Sequence, residues 1–363
     1  MTASFDDFKQ ILSSEQKRIL DKILEQETRK KRRVLLEHIE MDQKHLEILN
    51  FCANFFVPGQ LLPDKTRYFL VLVEPLYSLR IKNFDLGIFR KENASLILTE
   101  CKSSISDPKE LVDDLNGAIR ATNERKDELE KVLGNKIADP IEFALCLPAV
   151  YANDVYKEIL KTQTPVCVWA ADLWNGKMKL FTSQEDTKIE IQSGRLHRDG
   201  TLNSLLGRGV ESTLRAIRSI PLLPSSHMCT LLVYVSTLTY LETKVHRKDC
   251  EFQYSDVFSI LTREMGRLTD LSDQDFKNLT TNILKTGHRK GIFKDLTDDV
   301  LELPRKIFQI SGRRTNAEAV RRNVEETYVD HNAREKAKSE SLFQYKKETG
   351  TTTINSYIDS DLK

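Results

Sequence analysis

The chain has 363 residues, 40% hydrophobic and 30% charged, with a formal net charge of +1. That length suits two domains with a helical appendage, and the composition excludes a chain disordered throughout. A balance so near neutral excludes a protein that coats nucleic acid by bulk charge, but leaves room for local basic patches.

The opening residues are polar and acidic rather than leader-like. The apolar run from Cys229 to Leu241 is too short to span a bilayer. A soluble, intracellular, cytoplasmic protein with no membrane partner is therefore expected. Cys52, Cys101, Cys146, Cys167, Cys229 and Cys250 show no Cys-x-x-Cys spacing, so they read as buried reduced residues rather than a zinc knuckle or redox motif.

From Ser4 to about Phe56, apolar residues recur at helical spacing with no Gly or Pro, until Pro58-Gly59 stops the pattern. The basic run Arg29 to Arg33 reads either as a solvated face or as phosphate contacts flanking a site. Arg67 to Glu74 is a near-continuous apolar run, the mark of a strand buried on both faces. Phe84 to Phe89 and Ser95 to Cys101 are two more strands, joined by the turn Lys91-Glu92-Asn93.

Asp107-Pro108 opens a helix that stops at Gly134-Asn135. Ile141 to Leu147 is a fourth strand, Ala152 to Leu160 a short helix and Pro165 to Trp174 a fifth strand. Asn175-Gly176 is the favoured type I′ pair, so Lys177 to Phe181 should fold back as a hairpin. The order helix, three strands, helix, strand, helix, strand describes a mixed α/β domain.

Ser183 to Leu223 reads as a connector with a short helix around Val210 to Ile217. It carries Arg195, Arg198 and Arg208, either solvated linker residues or backbone-phosphate contacts. Helices are expected at Leu231 to Leu241, Ser255 to Arg267 and Ser272 to Lys285, the last capped by Ser272 and ended by Gly287. HRKGIFKDL and LPRKIFQIS then read as two short strands.

Three helices followed by a two-stranded wing resemble a winged helix-turn-helix. In that arrangement Lys277, Thr280, Thr281, Asn282, Lys285, His288, Arg289 and Lys290 would face outward toward DNA, with His288 in the wing. The alternative is a helical domain used for packing or dimerisation. Asn316 to Lys346 is a charged helix with Val320, Val324, Tyr328 and Phe343 at its apolar positions. In the polar tail from Gly350 to Lys363, TTTINSYI faintly resembles a sliding-clamp-binding peptide without the usual Gln. The expected organisation is thus 1–57 helical, 58–185 an α/β core, 186–228 a connector, 229–312 a winged-helix-like domain and 313–363 a helix with a tail.

The chemistry-bearing pattern lies in NFDLGIFRKENASLILTECKSS. Glu-x-Lys alone is weak, since it also occurs as Glu15-Gln16-Lys17 and Glu242-Thr243-Lys244. Context raises Glu100-Cys101-Lys102: a strand ends in it, Asp85 begins the preceding strand, and a well-signalled helix follows. Period-2 alternation puts Glu100 and Lys102 on one strand face. No Walker lysine pattern, HExxH spacing or Gly-x-Ser-x-Gly elbow is present.

This layout is similar to the PD-(D/E)XK nuclease superfamily of restriction and repair endonucleases, over about Leu61 to Phe181. Phe84 stands where the family usually has Pro. The resemblance implies a restriction-endonuclease-like mixed sheet flanked by helices, with Asp85, Glu100 and Lys102 as catalytic residues. It implies Mg²⁺, or Mn²⁺ as a substitute, on Asp85, Glu100 and the Cys101 carbonyl, and products with 5′-phosphate and 3′-hydroxyl ends.

Family members often add an acid from an N-terminal helix, for which Glu37, Glu40 and Glu47 are open candidates. Asn116, on the following helix, is a candidate DNA contact. The expected activity is a Mg-dependent endodeoxyribonuclease, foremost a type II restriction enzyme acting on DNA as a homodimer. The rivals are a non-catalytic winged-helix regulator and a repair nuclease selecting DNA shape.

Overall fold

The structure is a computed structural model that describes residues 5–77, 84–182, 194–212, 223–246, 251–266, 268–297, 302–312 and 315–350. The chain divides into two compact units. A sheet unit comprises 41–226 and 258–279, and a helical unit comprises 1–40, 227–257 and 280–363.

Two helices open the chain, α1 (Phe5–Ile11) and the 41-residue α2 (Ser14–Asn54). The expected unbroken helix is interrupted because Ser13 and Gln16 form a reciprocal cap. The Ser13 N–H donates to Gln16 Oε1 at 3.0 Å, and the Gln16 N–H donates to Ser13 Oγ at 3.4 Å.

The sheet unit continues with α3 (Leu61–Thr66), β1 (Phe69–Val73), β2 (Leu86–Arg90) and β3 (Ser95–Cys101). Then come α4 (Pro108–Glu124), α5 (Lys126–Leu133), β4 (Glu142–Pro148), α6 (Ala149–Thr162), β5 (Cys167–Asp172) and β6 (Lys177–Leu180). Asp107 caps α4 as its sequence foretells, accepting from the N–H groups of Lys109 and Glu110.

Where a connector was expected, α7 (Gly200–Arg208) and β7 (Val210–Glu211) complete a seven-stranded sheet in sequential order. Val210 thus begins a strand, and residues 213–217 of the helix expected there lie outside the described residues. β3 runs parallel to β4 and β4 to β5, while the other neighbours are antiparallel. The β5–β6 loop is not type I′, which needs positive φ at both central residues. Asp172 pairs with Lys177, and among the loop residues only Gly176 has positive φ, at 65°.

Strand alternation sorts the core into two layers. Leu96, Leu98, Leu145, Leu147 and Val168 face α4, α5 and α6. Ile97, Cys101, Ala144, Cys146 and Trp169 face the end of α2 together with α3 and α7. On that second side Phe56 stacks on Trp169 at 5.4 Å. The Trp169 Nε1–H donates to His197 Nε2 at 3.0 Å, which leaves the Nδ1–H to donate to Glu142 Oε2 at 2.9 Å.

The later elements are α8 (Met228–His246), β8 (Glu251–Gln253), α9 (Tyr254–Met265), α10 (Asp273–Arg289), β9 (Phe293–Asp295), β10 (Ile307–Ile310) and α11 (Ala317–Thr349). β8 adds a strand that sequence reading missed, giving a three-stranded sheet of order β8-β10-β9 around Phe252, Phe293 and Phe308. α10 does not end at Gly287. A Cβ there would meet the Phe293 ring at 2.2 Å, so the glycine makes room for β9 instead.

In the helical unit, α1, the start of α2 and α11 share a core of Phe5, Phe8, Leu20, Ile23, Leu342 and Tyr345. Val320, Val324 and Tyr328 are buried as expected, but Phe343 is 63% exposed. The tail 351–363, with its TTTINSYI segment, lies outside the described residues. No helix among those described is long and apolar enough to cross a membrane.

Candidate active site

The sheet unit brings Asp85, Glu100 and Lys102 to one end of its sheet. β2 and β3 are antiparallel, so the residue before β2 and the last residues of β3 meet there. Backbone bonds fix the frame. The Asp85 N–H donates to the Thr99 carbonyl at 3.0 Å, and the Lys102 N–H donates to the Cys146 carbonyl at 2.9 Å. Asp85 Oδ2 accepts from the Cys101 N–H at 2.6 Å. Lys102 Nζ reaches Glu100 Oε1 at 2.5 Å.

The candidate helix acids are Glu37, Glu40 and Glu47. All three are exposed, and Glu37 pairs with Arg33 on its own helix. α2 contributes His45, whose Nε2 lies 3.2 Å from Asp85 Oδ1. The signal was present: His45, Ile48, Leu49 and Cys52 share one helical stripe, and the last three are core.

A second missed residue is Glu74, just past β1. Its N–H donates to the Asp85 carbonyl at 2.8 Å, and its Oε2 accepts from the Ser225 N–H at 2.9 Å. Glu74 has φ of 46°, a conformation that bulky side chains seldom adopt.

The electrostatics follow from crowding at this sheet end. Burial, then the neighbouring Asp85 charge, pushes the Glu100 carboxyl up to about 7 despite the opposing pull of Lys102. Burial draws the Lys102 ammonium down, but Glu100 and Asp85 outweigh it and the net shift is upward. His45 behaves likewise: burial lowers it, while the hydrogen bond and charge of Asp85 carry it above its ordinary value. Burial also raises Glu74.

Two carboxylates are thereby gathered at one sheet end. Carboxylate oxygens are the ligands that Mg²⁺ and Mn²⁺ take, and burial is the main cause of the upward push on Glu100. Asp85 and Glu100 could hold such an ion, with the Cys101 carbonyl beside them.

The other expected contacts divide. Asn116 is used internally, its Nδ2 donating to Thr164 Oγ1 at 2.9 Å. Arg198 is also tied down, its guanidinium donating to the Asp139 carbonyl and its N–H to Glu142 Oε2. Arg195 is partly buried and Arg208 is exposed in the last turn of α7. On α10, Lys277, Asn282, Lys285, His288 and Arg289 are all exposed and Thr281 is half-buried, whereas Thr280 is fully buried and so does not face outward as expected. His288 sits in the last turn of the helix rather than in a wing. Lys290 is corrected outright: it is buried, with Nζ 3.3 Å from His331 Nδ1, and so is not on a DNA-facing surface.

No family model matches the chain, and no solved structure matches it. A protein of Archaeoglobus fulgidus, described as uncharacterized, is 23% identical over 363 residues, spanning 92% of this chain and 93% of that one.

Proposed function

We propose that this chain is a Mg²⁺-dependent endodeoxyribonuclease of the PD-(D/E)XK type, with Mn²⁺ as a substitute ion. One observation carries the reading: Asp85, Glu100 and Lys102 meet at a single sheet end, with His45 locking Asp85 from α2. An ion held by Asp85 and Glu100 would supply positive charge and would lower the pKa of a water bound to it. The remaining work falls to the chain. Asp85 and Glu100 present their oxygens, and the Cys101 N–H and His45 hold Asp85 in place. Lys102 sets a fixed positive charge where negative charge builds on the phosphate during in-line attack. Cleavage leaves 5′-phosphate and 3′-hydroxyl ends.

The finer assignment is a type II restriction endonuclease acting as a homodimer, since one site per chain cuts one strand. The helix, strand, helix, helix, strand, strand order from α8 to β10 is that of a winged-helix-like DNA reader. Its support is the exposed Asn282, Lys285, His288 and Arg289 on α10.

The test is incubation of plasmid and of defined duplex, flap, junction and methylated DNAs with Mg²⁺ or Mn²⁺, followed by mapping of the ends. Wild type should cut, while Asp85→Ala and Lys102→Ala should bind without cutting. Binding with no cleavage of any substrate would leave a non-catalytic DNA-binding protein. Cleavage confined to flaps or junctions would replace the restriction assignment with a structure-selective repair enzyme.

A further inference from the structure

Behind the proposed cutting site lies a second cluster with different chemistry. Cys52 near the end of α2, Cys101 at the end of β3 and Cys146 on β4 place their sulfurs within 4.8 Å of one another. All three residues are fully buried in the core layer beneath the sheet. The arrangement is built by the fold rather than by sequence proximity. Parallel register sets Cys101 beside Cys146, and the α2 stripe that carries His45 lowers Cys52 onto the pair. Among the described residues it is the one group of three or more His, Cys, Asp and Glu side chains gathered closely enough to share an ion.

We infer that Cys52, Cys101 and Cys146 form a buried trithiolate site for a soft closed-shell cation, Zn²⁺ or Cu⁺. The spacing fits. Metal–sulfur bonds of about 2.3 Å put three trigonal thiolates about 4 Å apart, so the sulfurs need little movement to close on an ion. The ligand type decides the class: thiolates select soft cations, whereas the carboxylates at the sheet end suit hard ones. On binding, each thiol gives up its proton to solvent and the sulfur lone pair forms the metal bond, with no change of oxidation state. The two cations pull in opposite directions. Zn²⁺ leaves one net negative charge in the core and Cu⁺ leaves two, while three-coordination suits Cu⁺ better than the tetrahedral habit of Zn²⁺.

The site would brace three elements at the base of the nuclease centre, yet the inference does not depend on cleavage. The test uses the full-length, fully reduced chain without DNA. Because the thiols are buried, cations are supplied both to the folded protein and during refolding from denaturant. Co²⁺ replaces Zn²⁺ as a spectroscopic probe in one arm, and Cu⁺ is used in the other.

The expected result is one cation per chain in at least one arm, a sulfur-to-metal charge-transfer band, and X-ray absorption showing three sulfur neighbours. Cys52→Ser and Cys146→Ser should each abolish the band. Should either variant fail to fold, the wild-type absorption spectrum decides alone. No band in either arm, or an ion surrounded by nitrogen and oxygen, would overturn the site and leave the three thiols as packing groups.

Discussion

His45 Nε2 lies 3.2 Å from Asp85 Oδ1, while the Cys101 N–H holds Oδ2 of the same carboxylate at 2.6 Å. Asp85 is thus fixed by two elements distant in sequence, one from α2 and one from β3. Groups that orient a metal-binding carboxylate typically matter about 10–100-fold in affinity or activity. His45→Ala should therefore slow Mg²⁺-dependent cleavage by that order, with duplex binding retained. Single-turnover cutting and fluorescence anisotropy measure the two separately, and an unchanged cutting rate would remove His45 from the site.

Lys102 is held against Glu100 and cannot be replaced by a neutral side chain without losing the fixed charge. Lys102→Met should cost about 10²–10³ in rate, the usual loss when one charge-stabilising group is removed. Gel-shift affinity for uncut DNA in Ca²⁺ should stay near wild type. A variant that still cuts at the wild-type rate would move the chemistry elsewhere.

Glu100 sets a pH dependence whose sign is fixed by its upward shift to about 7. Between its ordinary value and about 7, the folded chain holds a proton that the unfolded chain has released. Stability therefore falls as pH rises through that window. Glu100→Gln abolishes the loss, so in EDTA the variant should gain on wild type between pH 5 and 8, by at most ~3 kcal/mol. Urea denaturation at several pH values reads this directly. A difference that is flat with pH would show that Glu100 is an ordinary carboxylate.

The α10 surface makes its own prediction. If Lys285 and Arg289 each neutralise a phosphate, replacing either with Ala should weaken binding to all duplex sequences alike. Each change should also reduce the slope of log affinity against log salt by about 1. Lys290→Ala, which alters a buried residue, should leave that slope unchanged.

His197 offers a purely structural test. It links Trp169 to Glu142, and removing it leaves the indole N–H without its acceptor and takes from Glu142 Oε2 one donor, the Arg198 N–H remaining. His197→Ala should destabilise the chain by about 1–3 kcal/mol, the cost of leaving a buried polar group unsatisfied. Chemical denaturation with tryptophan fluorescence checks it.

How much of this could be read beforehand depended on whether the signal was local. β3 was legible to the residue, because Ser95 to Cys101 is a short apolar run that ends in Glu-x-Lys. The shared face of Glu100 and Lys102 followed from the two-residue period of a strand, while the approach of Asp85 needed the antiparallel β2–β3 pairing. His45 was hidden because a helix of 41 residues offers many polar positions, and only the core stripe singles one out.

β7 was missed because two residues carry no periodicity, and β8 because three barely do. Gly287 was misread as a stop because its purpose, clearance for Phe293, is a tertiary contact. Lys290 looked like a wing cation for the same reason: nothing nearby in sequence announces its burial beside His331.

The last three residues of the Glu100-Cys101-Lys102 run divide their loyalties by pleat alone: the outer two face the proposed chemistry and the middle one faces the thiol layer. A directed-evolution library at position 101 should therefore be the narrowest in this loop of sequence. Side chains bulkier than Cys would have to lift the strand, and lifting it would carry both neighbours out of register together. Variation at this centre is thus limited from underneath, by a side chain that faces the buried thiol layer.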